Sequence, residues 1–122
     1  MWAYLTGLVL ICVVSQCRGY GAPAQTGEID CGSSDNWANV TSSDPSKDNA
    51  RENAQIVTFD TKFCKRPEMI VTVSYLDVPY DKNVRYNTIL YSANRSQFKV
   101  SCYTWGDSIV HGMKVRWLAF GV

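Results

Sequence analysis

Runs of β-branched and aromatic residues, separated by turn-forming residues, dominate the chain from residue 56 onward. Such runs, bounded by Pro, Gly, Asn or Asp, are typical of strands. They cover residues 56–59, 69–78, 84–93, 98–105 and 109–120, and a sixth strand is expected before Trp37. The turn signals between them are short, so we expect neighbouring strands to be antiparallel. The pattern predicts an all-β fold, a small antiparallel β-sandwich.

Residues 29–55 differ from the rest because they are rich in Ser, Asp, Asn and Lys and follow neither the strand nor the helix period. This pattern predicts a segment that is mostly loop.

Strand alternation in the fourth run separates two faces. Phe98, Val100 and Cys102 fall on one face, and Lys99, Ser101, Tyr103 and Trp105 fall on the other. Cys102 is then expected to point into the core and Trp105 outward. An inward Cys102 can reach Cys31, and a disulfide that closes a loop of this length stabilises the fold by about 4 kcal/mol in the chain-entropy model.

The N-terminal segment has the apolar run of a secretory signal peptide and is too short to span a bilayer. We expect residues 1–19 to be removed and residues 20–122 to form one domain. The mature chain keeps three cysteines, Cys31, Cys64 and Cys102. An odd count in a secreted protein favours one intrachain bridge and one bond between chains.

Composition excludes several classes of function. Removal of Arg18 with the signal peptide leaves as many basic as acidic residues, so neither a nucleic acid nor a membrane surface is an expected partner. The single histidine, His111, and the lack of G-x-S-x-G, H-E-x-x-H or C-x-x-C patterns argue against an enzyme. No metal ligand set and no cofactor motif is present, so no metal or cofactor is expected.

The remaining chemistry suits a neutral sugar, which needs an aromatic surface, a carboxylate and a planar donor. Trp105, Asp48 and Arg85 are the candidates. Each also has a structural interpretation. Asp48 can bond local backbone N–H groups in a turn, Arg85 can be solvated or pair with Asp77 or Asp81, and Trp105 can cap the core.

Several segments together resemble one family. They are Ile29 to Gly32, Asp44-Pro45, Asp48-Asn49, Phe63-Cys64, Asn83 to Arg85 and Phe98 to Trp105, with Met113 and Trp117 near the end. In this order and spacing the chain resembles the H-type lectins, the snail agglutinins that bind N-acetylgalactosamine. The resemblance covers nearly the whole expected mature chain.

This resemblance implies a six-stranded β-sandwich that forms trimers, with sugar sites at the protomer boundaries, and hexamers joined through Cys64. It implies that Asp48, Arg85 and Trp105 contact the sugar and that Ser46 and Lys47 lie in the loop that a neighbouring protomer contributes. Two positions depart from the family pattern. Gly106 stands where a histidine is expected, and His111 stands where a tyrosine is expected. The resemblance places both positions beside the acetamide group of the sugar, so both bear on sugar preference. His111 also has a structural interpretation, as a residue at the edge of the core.

The function implied is that of a secreted, extracellular, calcium-independent agglutinin for glycans ending in N-acetylgalactosamine or galactose, in defence or egg-fluid protection. Asn39 and Asn94 lie in glycosylation triplets and are expected in exposed loops. The alternative is a structural or storage glycoprotein of the same fold that has lost sugar binding.

Overall fold

The computed structural model describes residues 24–121, and strands form almost all of the regular structure there. The strands are β1 (Gln25–Asp30), β2 (Ala38–Asn39), β3 (Arg51–Thr58), β4 (Glu68–Asp77), β5 (Asn87–Ala93), β6 (Gln97–Thr104) and β7 (Gly112–Phe120), with a short 3-10 turn at Ser34–Asn36. All described strand pairs are antiparallel. The predicted all-β, antiparallel fold is therefore confirmed. The six longer strands are accompanied by a seventh, the two-residue β2. The predicted signal peptide lies outside the described residues.

The strands form two sheets, in the orders β1-β7-β4 and β2-β3-β6-β5. The expectation that strands joined by a short turn pair with each other is right for β5 with β6. It is wrong for the connections β3 to β4, β4 to β5 and β6 to β7, which cross from one sheet to the other. Connections that cross between two packed sheets are common in sandwich folds.

The loop prediction for residues 29–55 is right in the middle and wrong at the ends. β1 extends to Asp30, and β3 begins at Arg51 rather than at residue 56. The first half of β3 does not show the hydrophobic pattern of a strand, because its inward side chains are polar. They donate hydrogen bonds to backbone carbonyls at the end of β1. Asn53 Nδ2 donates to the Cys31 carbonyl at 3.0 Å, and Gln55 Nε2 donates to the Asp30 carbonyl at 3.2 Å.

Alternating residues of β6 and β7 fill the space between the sheets. The buried residues include Phe98, Val100 and Cys102 from β6 and Met113, Val115, Trp117 and Ala119 from β7. Full burial of each large side chain contributes about 1.5–3 kcal/mol. The predicted disulfide between Cys31 and Cys102 is confirmed, and it joins the end of β1 to β6 across the core.

The opposite side of β6 is less exposed than alternation predicts. Ser101 and Tyr103 are both buried, at 1% and 6% exposure. The reason is that β6 is a central strand, and longer side chains of its neighbours lean over it. Ser101 Oγ donates to Glu52 of β3 at 2.8 Å, and the Tyr91 hydroxyl of β5 donates to the same carboxylate.

Candidate functional site

Three loops meet at the end of the four-stranded sheet where Arg51 faces Thr104. They are the loop 40–50, the connection 78–86 and the turn 105–111, and hydrogen bonds to backbone carbonyls join them. Gly106 N–H donates to the Asp48 carbonyl at 2.7 Å. The Ser108 hydroxyl donates to the Asn83 carbonyl at 2.6 Å. These bonds fix the relative positions of segments that are far apart in sequence.

The loop 40–50 is shaped by the side chain of Asp44. Its Oδ1 accepts hydrogen bonds from the Ser46 N–H and hydroxyl at 2.9 and 2.7 Å. The bonds from Ser46 hold the pKa of Asp44 below its ordinary value. The turn is closed by Lys47 N–H, which donates to the Asp44 carbonyl at 3.0 Å. Ser46, a predicted sugar contact, therefore lies in the expected loop with its hydroxyl directed at Asp44.

Lys47 and Trp105 lie together where this loop meets β6. The Lys47 ammonium is 4.8 Å from the Trp105 ring centroid, within the range of a cation–π contact. Tyr103 supports the same ring from the strand, with the two centroids 5.9 Å apart. Trp105 is partly exposed. The outward direction predicted from alternation thus leaves part of the indole available to a ligand.

Arg51, the first residue of β3, holds two of the loops together, a role that the sequence did not indicate. Its Nη2 donates to the carbonyls of Gly106 and Ser108 at 3.2 and 2.8 Å, and its Nε donates to the Asn49 carbonyl at 3.1 Å. The Asn49 side chain adds a bond to the Gly106 carbonyl at 3.0 Å. One guanidinium therefore organises both the 40–50 loop and the turn that follows β6.

Arg85 forms an ion pair with Asp107, at 2.5 Å between Nη1 and Oδ1. Neither of the partners considered from the sequence, Asp77 or Asp81, forms this pair. Asn83 Nδ2 donates to both oxygens of Asp107 at 3.2 and 3.3 Å. The bonds from Asn83 and Arg85 lower the pKa of Asp107 below its ordinary value of 3.8. The pair is about half exposed, so both groups remain reachable from solvent.

Asp107 is the residue that sequence reasoning missed. It lies in a Gly-Asp-Ser turn, where the carboxylate has no distinguishing signal in the chain itself. Only the approach of the 78–86 connection gives it a role.

Gly106 is required by the backbone and by its neighbour. Its φ of 66° lies in the left-handed region that favours glycine. A Cβ at this position would lie 3.1 Å from Nη1 of Arg85. The small residue at this departure from the family pattern therefore makes room for the guanidinium.

The structure brings Lys47, Asp48, Arg85, Trp105 and Gly106 to one end of the sandwich. His111 lies apart from these bonds. It is exposed, and its N–H donates to the Asp77 carbonyl at 2.8 Å, where β4 ends and β7 is about to begin.

The two glycosylation triplets lie elsewhere and are exposed. Asn39 is in the short strand β2 rather than in a loop, and Asn94 is in the turn between β5 and β6. Within residues 24–121, no group of three or more His, Cys, Asp or Glu side chains could hold a metal ion. In the same range, no helix is long and apolar enough to cross a membrane.

Comparison with known proteins gives one family and one group of similar folds. The family model for the H-type lectin domain matches residues 54–120. No curated protein matches the chain significantly. Among solved structures, recombinant discoidin II of Dictyostelium discoideum superposes with a TM-score of 0.65 at 20% identity, and wild-type discoidin II superposes with 0.64 at 20%. The alignments cover 81% and 80% of this chain but only 36% and 35% of discoidin II, so the likeness is one of fold.

Proposed function

The chain belongs to the H-type lectin family of carbohydrate-binding proteins, and we propose that its Trp105 end binds the terminal N-acetylgalactosamine or galactose residue of a glycan. The role proposed is binding rather than catalysis. The observation that carries the proposal is the placement of the Arg85 and Asp107 pair beside Gly106, with the Trp105 ring on the adjoining residue.

The chemistry of a galactose-type ring matches these groups. Its apolar C–H face packs against an aromatic ring, for which the exposed part of Trp105 is suited. Its hydroxyls accept from a guanidinium and donate to a carboxylate, in bonds stronger than those between neutral groups. Arg85 supplies the donors, and the exposed carboxylates of Asp48 and Asp107 supply acceptors. Lys47 of the same chain borders this ligand, and in the trimer that the family resemblance implies, Ser46 and Lys47 of a neighbouring protomer complete the site.

Fine specificity depends on the turn after β6. The absence of a side chain at Gly106 lets the Arg85 guanidinium lie against this turn, so Arg85 and not residue 106 is proposed to contact the 2-substituent of the sugar. His111 is proposed as a contact for a longer glycan rather than for the first sugar, because it is exposed at the β4 end of the loop cluster.

Binding of one sugar at one open site is expected to be weak, with a Kd on the order of a millimolar, or roughly −4 to −5 kcal/mol. Multivalency then supplies useful affinity, because fixed sites on an oligomer raise avidity by about 10² to 10⁴. We propose a secreted trimer that Cys64 links into a hexamer and that agglutinates cells, in defence or egg-fluid protection. Binding needs no calcium, so EDTA leaves agglutination intact.

The test replaces one arginine at the site and one elsewhere. Arg85→Ala is expected to abolish binding to immobilised N-acetylgalactosamine and to retain the circular dichroism of the wild type. Arg116→Ala is the matched control, since Arg116 also pairs with a carboxylate, Glu28 at 3.4 Å, but on the three-stranded sheet. The control is expected to bind like the wild type.

Retained binding by a folded Arg85→Ala protein contradicts the site. A glycan array on the wild type separates the two functions weighed from the sequence, because a storage glycoprotein without sugar binding leaves every neutral glycan unbound.

A further inference from the structure

A cavity of about 590 Å³ opens on the outer face of the four-stranded sheet, under the 40–47 part of the long loop. Its floor is formed by side chains of three neighbouring strands, namely Glu52 of β3, Tyr103 of β6, and Asn87, Ile89 and Tyr91 of β5. Its rim is formed by residues 40–44 and Lys47 of the loop, which include three hydroxyl-bearing side chains and the Asp44 carboxylate. The volume lies within the range of small-molecule sites, and of the floor residues only Tyr103, which packs against Trp105, also belongs to the site described above.

Glu52 at the floor is a carboxylate bonded to hydroxyls and not to a cation. The Tyr91 hydroxyl donates to its Oε2 at 2.5 Å, and Ser101 Oγ donates to the same oxygen at 2.8 Å. Neither of the two ion pairs among residues 24–121 includes Glu52. Since both bonds use Oε2, the second oxygen keeps its capacity to accept from a ligand hydroxyl.

The groups around Glu52 are held in place. The bond to Glu52 raises the pKa of Tyr91 to about 12, so its hydroxyl stays protonated and keeps donating. The Tyr91 ring is 47% exposed, and the Lys99 ammonium lies 5.3 Å from its centroid on the sheet. An exposed ring beside a fixed acceptor and the Asn87 amide suits the apolar face and the hydroxyls of a pyranose.

Lys47 connects this cavity to the Trp105 end. It lines the cavity, and its ammonium is 4.8 Å from the Trp105 ring centroid. Lys47 therefore borders both places. Adjacent residues of one glycan can occupy both.

We propose that this cavity is a second carbohydrate subsite, which takes the uncharged sugar next to the terminal residue bound at Trp105. This inference rests on the proposed function and names a larger ligand for it. Acidic sugars are disfavoured there because two carboxylates, Glu52 and Asp44, line the cavity against the single ammonium of Lys47.

The experiment compares one sugar with two. Calorimetry measures N-acetylgalactosamine and a set of disaccharides in which it is the terminal residue and its linkage to galactose varies. At least one disaccharide is expected to bind the wild type about tenfold more tightly than the monosaccharide. Glu52→Gln is expected to lose this gain and to keep the monosaccharide affinity.

Glu28→Gln is the matched control. Glu28 also accepts a serine hydroxyl, from Ser74 at 3.0 Å, but it lies on the other sheet and does not line the cavity. The control is expected to keep the full gain. Ser43→Trp, at the exposed rim, blocks the cavity without altering the sheet and is expected to lose the gain as well.

Two results overturn the subsite. One is equal affinity for the monosaccharide and every disaccharide. The other is a gain that survives both Glu52→Gln and Ser43→Trp. If equal affinity is accompanied by protection of Tyr91 from iodination in the native oligomer, this face is a contact between copies of the chain. Loss of monosaccharide binding in the wild type instead refutes the proposed function itself, and with it the subsite.

Discussion

The two ends of the four-stranded sheet are held by different forces. At the end where Thr58 faces Gln97, here called the aromatic end, Phe59, Phe63 and Phe98 are buried and in contact, with ring centroids 4.9 and 5.4 Å apart. At the end where Arg51 faces Thr104, the loop end, hydrogen bonds from Arg51, Asn49 and Asn83 hold the connections.

The difference separates stability from binding. Aromatic packing removes apolar surface from water and leaves nothing for a ligand to contact. Hydrogen bonds to backbone carbonyls hold the loops at the other end and leave the faces of Trp105, Asp107 and Arg85 partly exposed. Ligand binding is therefore expected at the loop end, where hydrogen bonds and not aromatic packing hold the structure.

The largest expected effect comes from removing one aromatic side chain at each end. Phe63→Ala, at 1% exposure, is expected to lower the free energy of unfolding by about 3–5 kcal/mol, because it leaves a cavity among packed rings. Trp105→Ala is expected to cost about 1 kcal/mol or less and to abolish sugar binding. Urea denaturation checks both, and equal losses of stability would show that the two ends do not differ.

A smaller effect is expected from filling the space beside Arg85. Gly106→Ala places a Cβ 3.1 Å from Nη1 of Arg85 at a φ of 66°. The left-handed backbone costs about 1–2 kcal/mol for a residue other than glycine, and sugar binding weakens because the guanidinium must move.

Gly32→Ala is the matched control for this change. Its φ is 64°, and an added Cβ has no neighbour within 4 Å. Both variants are expected to lose similar stability, whereas only Gly106→Ala loses affinity. Equal sugar affinity in the two variants would contradict a role of Arg85 in sugar binding.

The ion pair at the loop end gives a pH dependence. The pKa of Asp107 is lowered in the folded chain, so its contribution is present above the ordinary value of 3.8 and is lost as the pH falls through the lowered pKa. Asp107→Asn is expected to weaken sugar binding about tenfold through loss of Arg85 positioning. Titration of tryptophan fluorescence with sugar measures the affinity. The affinity of the wild type is expected to stay unchanged from neutral to mildly acidic pH. An earlier decline in the wild type would indicate another titrating contact.

The smallest effect on a single sugar site is expected at Cys64, which is half-buried in the loop after Phe63 at the aromatic end. The family resemblance predicts a bond between chains there. Non-reducing electrophoresis of the wild type is then expected to show dimers that disappear on reduction, and Cys64→Ser a monomer with unchanged monosaccharide affinity and weaker agglutination. A covalent dimer of Cys64→Ser would contradict the assignment.

Much of the fold was predictable from local pattern. Alternation in β6 identified Phe98, Val100 and Cys102 as inward, and that direction made the bond to Cys31 predictable. The same reasoning failed for Ser101 and Tyr103, because alternation gives the face of a strand and not the length of the side chains beside it.

The candidate site was predictable only in part. Trp105, Arg85 and Asp48 came from the chemistry of sugar binding and the family pattern, and the structure brings their segments to one end. Asp107 and Arg51 carried no such signal, because a carboxylate in a turn and an arginine in a strand are ordinary surface residues until a distant loop meets them.

The sequence by itself determined the β-class, the inward faces and the cysteine pair, since each depends on neighbours within a few residues or on one long closure. Tertiary structure alone decided which strands cross between the sheets, which carboxylate meets Arg85, and where the 40–50 loop leaves a cavity over Glu52. Those outcomes depend on the packing of segments that are distant in the chain, and local periodicity carries no information about such distances.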